Sequence, residues 1–260
     1  VMFIKEYFVV NGSITIALAQ TSPIRGDIER NLAKHIGCIS ESASHGADVV
    51  VFPELSITGY EPDLLAALAL SRSSSVVSEL VNAAIRAGVI IIAGIPLAND
   101  GKKPYIASLI AFPSGKQVFY CKQYLHETED SFATAGSANF SFSCNGFTLY
   151  HGICADFSNE QHWKDASLAK ADIYLSSALI SKSGLEPDFE LLSERAKMNS
   201  LNVVLVNSVG VTGGWNAAGC SGVWNSDGHH ALSASDDECI VLCRISNSGV
   251  SGEAINITKS

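Results

Sequence analysis

The stretch Thr148-Leu149-Tyr150-His151-Gly152-Ile153-Cys154-Ala155-Asp156 carries an apolar run straight into a tight turn. Its apolar and aromatic residues are near-continuous rather than alternating, the pattern of a strand covered on both faces. Just beyond it, Ser158 with Gln161 three residues on makes a capping-box pattern, which predicts a helix through about Lys170. Ile173–Leu175 then reads as a second strand. Pro187, suited to a first helical turn, leads a helix over Asp188–Met198, and Val203–Val206 is a third strand. Strand, helix, strand, helix, strand is therefore the order from Thr148 to Val206.

The first hundred residues repeat that order. Ile14–Ala19, Val49–Phe52 and Val89–Ala93 are short apolar runs. Between the first two, Asp27 is placed to cap a helix in which Ile28, Leu32, Ile36, Ile39 and Ala43 recur at helical spacing, with Gly46 ending it. Val76–Ala87 follows the same plan and stops at Gly88. Between the halves, Tyr105–Phe112 and Lys116–Lys122 flank Pro113-Ser114-Gly115 and predict a hairpin; Asn225-Ser226-Asp227-Gly228 marks another after the second half. Two α/β halves, each with one helix-covered sheet face, can bury their other faces on each other. The expected fold is an α/β four-layer α-β-β-α sandwich. A single doubly wound sheet is the alternative, and hairpins at corresponding places weigh against it. No linker or low-complexity segment divides the chain, so residues 1–260 are expected to form a single domain.

Composition narrows the function. The 260 residues are 47% hydrophobic and 17% charged, enough to bury a sizeable core without staples. A formal net charge of −9 argues against nucleic acid or an anionic membrane as partner, since both call for a basic face. No run reaches the roughly 18 apolar residues of a membrane span. Val1–Val10 carries Lys5 and Glu6 within a short apolar run and lacks the plan of a signal peptide, so a cytoplasmic protein is the expectation. The seven cysteines, Cys38, Cys121, Cys144, Cys154, Cys220, Cys239 and Cys243, are odd in number and scattered, as reduced thiols are. Cys239 and Cys243 lie four apart with no histidine placed to complete a zinc site, so neither a metal nor another cofactor is expected.

Three segments set a reactive side chain where an apolar strand ends. In Val49-Val50-Val51-Phe52-Pro53-Glu54, Pro53 stops the ladder and Glu54 follows at once. Gln117-Val118-Phe119-Tyr120-Cys121-Lys122 ends in a lysine, and the opening stretch ends in Cys154. Strand ends are where α/β folds place their sites. Taken singly, a loop glutamate, a surface lysine and a core cysteine are the ordinary readings. Cys154 stands apart because Gly152 and the helix start give it a tight turn near free backbone N–H groups, which stabilise a thiolate and a nearby oxyanion.

Together, Glu54 within FPELSITGY, Lys122 within CKQYLHETED and Cys154 within HGICAD resemble the Glu-Lys-Cys pattern of the nitrilase, or carbon–nitrogen hydrolase, superfamily, in its order and at about its spacing. The resemblance covers nearly the whole chain, including TGGW at Thr212–Trp215 and GCSGVW at Gly219–Trp224. It implies the α-β-β-α sandwich, a homodimer or larger homo-oligomer, and a small-molecule amide substrate. It further implies Cys154 as nucleophile, Glu54 as base, and Lys122 with the backbone N–H of Ala155 as oxyanion partners. A second glutamate after the lysine falls on Glu127 or Glu129, of which spacing favours Glu129. Tyr60 either lines the pocket or packs, and Trp215, beside the turn at Gly213-Gly214, either walls the pocket or meets another subunit.

Departures from the pattern guide the substrate. The loop Ala155-Asp156-Phe157-Ser158-Asn159-Glu160 holds no arginine, whereas members that bind carboxylate-bearing substrates often carry one there. That weighs against an N-carbamoyl amino acid. True nitrilases tend to be longer at the C-terminus, which favours small-amide hydrolysis over nitrile hydrolysis. A Cys-His-Asp protease built from Cys154, His151 or His162, and Asp156 is a competing reading. Strand alternation does not bring His151 to the thiol, and such a site leaves Glu54 and Lys122 without a role. A non-catalytic binding member of the same fold is the remaining alternative, and the presence of all three reactive residue types speaks against it.

Overall fold

In the computed structural model, which describes residues 2–4 and 12–256, two seven-stranded sheets stack face to face. Lys5 and Glu6, with the rest of residues 5–11, lie outside the described residues. The first sheet runs β16 (Gly249–Asn256), β15 (Cys239–Ser246), β2 (Ser13–Gln20), β3 (Val49–Val51), β4 (Ile90–Leu97), β5 (Tyr105–Ala111) and β6 (Gln117–Cys121). The second runs β1 (Met2–Ile4), β7 (Phe140–Cys144), β8 (Phe147–Ile153), β9 (Ile173–Ala178), β10 (Asn202–Asn207), β13 (Gly222–Trp224) and β14 (His230–Ser233). A separate hairpin pairs β11 (Val209–Thr212) with β12 (Trp215–Ala218). Four helices cover the outer faces: α1 (Ile28–Ser44), α2 (Ser75–Ala87), α3 (Glu160–Leu168) and α4 (Leu185–Asn199).

Alternation along each buried strand divides the core into three layers. Ile14, Ile16 and Leu18 of β2 point between the sheets, where they join Val49, Val51, Ile90 and Ile92 and meet Leu149, Ile153, Ile173, Leu175, Val204 and Val206 of the second sheet. Ala17 and Ala19, with Val50, Phe52, Ile91 and Ala93, face the opposite way onto Leu32, Ile39, Val77, Leu80 and Ala84 of α1 and α2. Tyr150, Tyr174, Val203 and Leu205 face α3 and α4 through Trp163, Ala166, Leu192 and Ala196. Both faces of each sheet are thus dry, which is why the strands read as continuous apolar runs. The α-β-β-α order expected from the sequence is the one observed, and the doubly wound alternative is not.

Each half has a parallel core, with β2-β3-β4 in one sheet and β8-β9-β10 in the other, and antiparallel strands at the flanks. Both hairpins form where turn residues placed them: β5 pairs antiparallel with β6 around Gly115, and β13 with β14 around Gly228. Asp27 caps α1 by accepting from the Arg30 N–H, and Gly88 takes the left-handed conformation that ends α2. Two helix boundaries differ from expectation. α3 begins at Glu160, capped by the Asn159 side chain on the Gln161 N–H, and the residues from Cys154 to Ser158 form a separate 3₁₀ turn. Asn159 is a better cap than Ser158 here because it is already extended while Ser158 still belongs to the 3₁₀ turn. α4 begins at Leu185, ahead of Pro187, whose missing N–H costs nothing within a first turn.

No helix among the described residues is long and apolar enough to cross a membrane. All seven cysteines are free thiols.

Candidate active site

The parallel strands β3 and β8 end at the same edge of the sandwich, and β6 delivers its last residue there from the flank of the first sheet. After β3, Pro53 breaks the ladder and the chain coils tightly through Glu54 to Thr58, with Leu55 at φ +49°. That coil packs against β4 at Gly94, where any Cβ would run into the backbone of Pro53 and Leu55. Its underside is fixed by His35 of α1, which stacks on Phe52 and bonds Ser56 Oγ at 2.9 Å, while Ser56 Oγ accepts from the Gly94 N–H. Glu54 is consequently held rigidly and is only 2% exposed.

Lys122, immediately past β6, is fully buried. Its Nζ donates to Glu54 Oε1 at 2.8 Å and to Glu129 Oε1 at 2.7 Å. Glu129, at the head of a short 3₁₀ turn, also accepts from the Tyr60 hydroxyl on Oε1 (2.7 Å) and from the His126 N–H on Oε2 (2.8 Å). Of the two glutamates that the sequence left open, Glu129 is the buried member of this cluster and Glu127 is exposed. Tyr60 joins the cluster through its hydroxyl and lines the cavity; its N–H is tied to Thr212 of the β11–β12 hairpin.

Cys154 opens the 3₁₀ turn after β8 in a left-handed conformation, φ +47°, which an L-residue adopts only when its surroundings enforce it. The enforcing group is Asp156, wholly buried. Its Oδ2 accepts from the Ile153 N–H (2.8 Å) and the Tyr120 hydroxyl (2.7 Å); its Oδ1 accepts from the N–H groups of Gln123 (3.0 Å) and Tyr124 (2.9 Å). One carboxylate thus clamps the cysteine turn to the chain leaving Lys122. Behind it, Tyr120 and Tyr174 bond opposite ring nitrogens of His162, and Gly152 leaves room for them: a Cβ there would lie 2.6 Å from Tyr174 Oη. The sequence drew notice to Gly152 for its turn and to Asp156 and His162 for the protease reading, but not to this cluster, whose members come from β6, α3 and β9.

These contacts account for the histidines of the protease reading. Both His162 nitrogens are taken by tyrosines, and His151 points between the sheets, its Nε2 on Ser108 Oγ at 2.8 Å. Burial holds both imidazoles below the usual range, His151 at about 3. Neither faces Cys154 as a base.

Burial also sets the charges of the cluster. It raises Glu54 to about 7, with Lys122 pulling down, Glu129 pushing up, and hydrogen bonds from Lys122 and the Cys154 thiol pulling down again. Burial pulls Lys122 down, yet Glu54, Cys154 and Glu129 outweigh it and hold the ammonium well above its usual range. The Cys154 thiol is pushed well up by burial and by Glu54, only partly offset by Lys122. Its Sγ donates to the Leu179 carbonyl oxygen at 3.7 Å, and the Glu54 carboxyl lies beside it.

Above the cluster lies a cavity of about 320 Å³, walled by the buried Glu54, Tyr60, Glu129 and Phe157, with Cys154 and Ala155, at its floor and by the more exposed Leu179, Ser181, Asp188 and Trp215 further out. Trp215 therefore walls the pocket. It is carried on the hairpin whose turn, Gly213-Gly214, takes positive φ at both glycines, and Glu61 fastens that turn by accepting from the Gly213 N–H and Thr212 Oγ1. Ala155 lies one residue into the 3₁₀ turn, whose first N–H groups have no partner within the turn, and lines the cavity.

This architecture is shared with known proteins. The model of the carbon–nitrogen hydrolase family matches residues 15–250. The 2-oxoglutaramate amidase of Bacillus subtilis is 29% identical over 199 residues, 75% of this chain and 76% of that protein. A glutamine-dependent NAD(+) synthetase of Thermotoga maritima is 40% identical over 62 residues, 24% of this chain; the match spans only 11% of that longer protein. Among solved structures, a CN-hydrolase superfamily protein of Xanthomonas campestris with an arsenic adduct in its active site superposes with a TM-score of 0.84 at 23% identity, covering 91% of each chain. An amidase mutant from Nesterenkonia sp. AN1, bearing the acetamide moiety of fluoroacetamide covalently at its active-site cysteine, gives 0.83 at 21% identity, covering 94% of each chain. From its fold and its sequence, the chain belongs to the carbon–nitrogen hydrolase family.

Proposed function

We propose that the protein hydrolyses the carbon–nitrogen bond of a small amide through an acyl-thioester on Cys154. The observation that carries this reading is the enclosed Glu54–Lys122–Glu129 cluster directly beside the Cys154 thiol at the floor of the cavity. In the first step Glu54 takes the thiol proton as Sγ bonds to the amide carbon. The carbonyl π electrons move onto oxygen, where the Lys122 ammonium and the Ala155 N–H offset the negative charge. The oxyanion then collapses, the carbon–nitrogen bond breaks, and Glu54 returns the proton to the departing ammonia or amine. Water attacks the thioester, giving its proton to Glu54. The carbon–sulfur bond breaks, and the proton passes back to sulfur, leaving a carboxylic acid. A carboxyl group held near 7 suits both directions of transfer at neutral pH. Glu129 and Tyr60 position the lysine rather than exchange protons with substrate.

The amidase activity named for the Bacillus subtilis relative and the cysteine adduct of the Nesterenkonia amidase support an amide over a nitrile. The absence of arginine and lysine from the described cavity wall weighs against an N-carbamoyl amino acid. The same proposal takes the assembled enzyme to be a homodimer or larger homo-oligomer acting in the cytoplasm. The test is ammonia release from a panel of small amides, nitriles and ureido compounds. Wild type should release ammonia from amides and Cys154→Ala from none; equal rates in the two would refute the assignment.

A further inference from the structure

The floor of the cavity is suited to any amide; its outer half has a character of its own. Asp188, in the first turn of α4, lines the outer wall together with Trp215, and its carboxylate makes no hydrogen bond or ion pair with any described residue. It is half-buried, and its carboxyl is raised by burial alone, with no cation near enough to pull it back. No lysine or arginine among the described residues lines this cavity, where His126 is the one basic side chain. Lys122 lies beneath the wall and is already shared by two glutamates.

A helix N-terminus facing a cavity would ordinarily invite an anion. At α4 that attraction is already spent: Glu186 and Asp188 supply negative charge to the first turn, and Pro187 contributes no N–H. A substrate carboxylate at this wall would therefore meet Asp188 and no lysine or arginine. Trp215, 45% exposed, leaves indole surface open beside the carboxylate. An exposed indole and an unpaired carboxylate lining one cavity form the pairing that binds ammonium and guanidinium groups.

We propose that Asp188 and Trp215 select amide substrates carrying a cationic group at the end remote from the scissile bond. The cleavage step of this proposal rests on the Cys154 reading above; the selection step is a binding preference and can be measured without turnover. Three amides of nearly equal size serve as probes: β-alaninamide, which is cationic, butanamide, which is neutral, and succinamate, which is anionic.

With wild-type enzyme, kcat/KM should fall in the order β-alaninamide, butanamide, succinamate. In Asp188→Asn the ratio of the cationic to the neutral amide should drop about tenfold, and Trp215→Ala should lower it several-fold. Calorimetric titration of the same amides into Cys154→Ala gives the second readout. There, β-alaninamide should bind more tightly than succinamate, with the difference lost when Asp188→Asn is added. Succinamate turned over or bound as well as β-alaninamide, or a ratio unmoved by Asp188→Asn, would overturn the proposal. If wild type released no ammonia from any of the three, the hydrolase reading would fail, and the titrations would still decide the selection.

Discussion

Lys122 Nζ lies 2.8 Å from Glu54 Oε1 with both side chains shut away from solvent, and the same ammonium meets Glu129 at 2.7 Å. Two buried carboxylates on one cation make a cluster that carries one negative charge unless a proton is taken up. The raised carboxyl of Glu54 answers that excess.

Lys122→Met should be costly for this reason. Removing the cation leaves Glu54 and Glu129 facing each other in a dry site, a loss on the order of 3–5 kcal/mol for a broken buried pair. Urea unfolding at neutral pH should show the drop in midpoint, and part of it should return at acid pH as the carboxylates are protonated. Glu129→Gln, which keeps an acceptor for Lys122 and Tyr60, should cost much less.

The rate should depend on the charge of Glu54. Because the base must be ionised to accept the thiol proton, kcat/KM should rise with pH through about 7, the position to which burial raises that carboxyl. Glu54→Gln should abolish the rising limb and lower the rate by about 10²–10⁴. A limb that survives unchanged in Glu54→Gln would assign the titration to another group.

Asp156 should matter to geometry rather than to proton transfer. In Asp156→Ala the N–H groups of Ile153, Gln123 and Tyr124 lose their acceptor, at roughly 1–3 kcal/mol for each that stays buried and unpaired. With the clamp gone, Cys154 is no longer compelled into its left-handed conformation. kcat should fall more than KM rises, without a shift in the pH profile. Gly152→Ala should give the same pattern, since its Cβ displaces Tyr174 from His162.

The buried imidazoles set the acid limit of stability. His35 is held at about 4 and His151 at about 3, and His162 is lowered too, all chiefly by burial. Between the ordinary histidine range and those values the unfolded chain binds protons that the folded chain refuses, so stability is lost as pH falls below about 6.5. Glu54 and Asp188 act oppositely, because a raised carboxyl binds a proton in the folded state first; four lowered imidazoles, His230 among them, against two raised carboxyls leave the net sign as acid destabilisation. Denaturant midpoints that stay level from about pH 7 to about pH 5 would contradict this.

The layers were legible in the sequence because burial on both faces writes strands as unbroken apolar runs, as at Ile14–Ala19 and Val203–Val206. β15 and β16 were harder to see. Cys239–Ser246 drew notice only for its thiols, and its pairing with β2 joins residues more than two hundred positions apart. Glu54, Lys122 and Cys154 were legible as reactive residues at strand ends. Glu129 was legible as a choice of two, which only burial could settle. The donors to Asp156 come from Gln123 and Tyr124, 33 and 32 residues away, and no local pattern marks them. Asp188 was read as the start of a helix, because nothing in its neighbours says that α4 begins over the cavity.

The central claim is that a covalent bond forms at Cys154. Rapid acid quenching of enzyme mixed with a turned-over amide, followed by intact-mass measurement and peptide mapping, tests it most directly. The account predicts an added acyl group on the peptide bearing Cys154, absent in Cys154→Ala. Continued turnover with no acyl group on Cys154, or an acyl group on another of the seven cysteines, would contradict it.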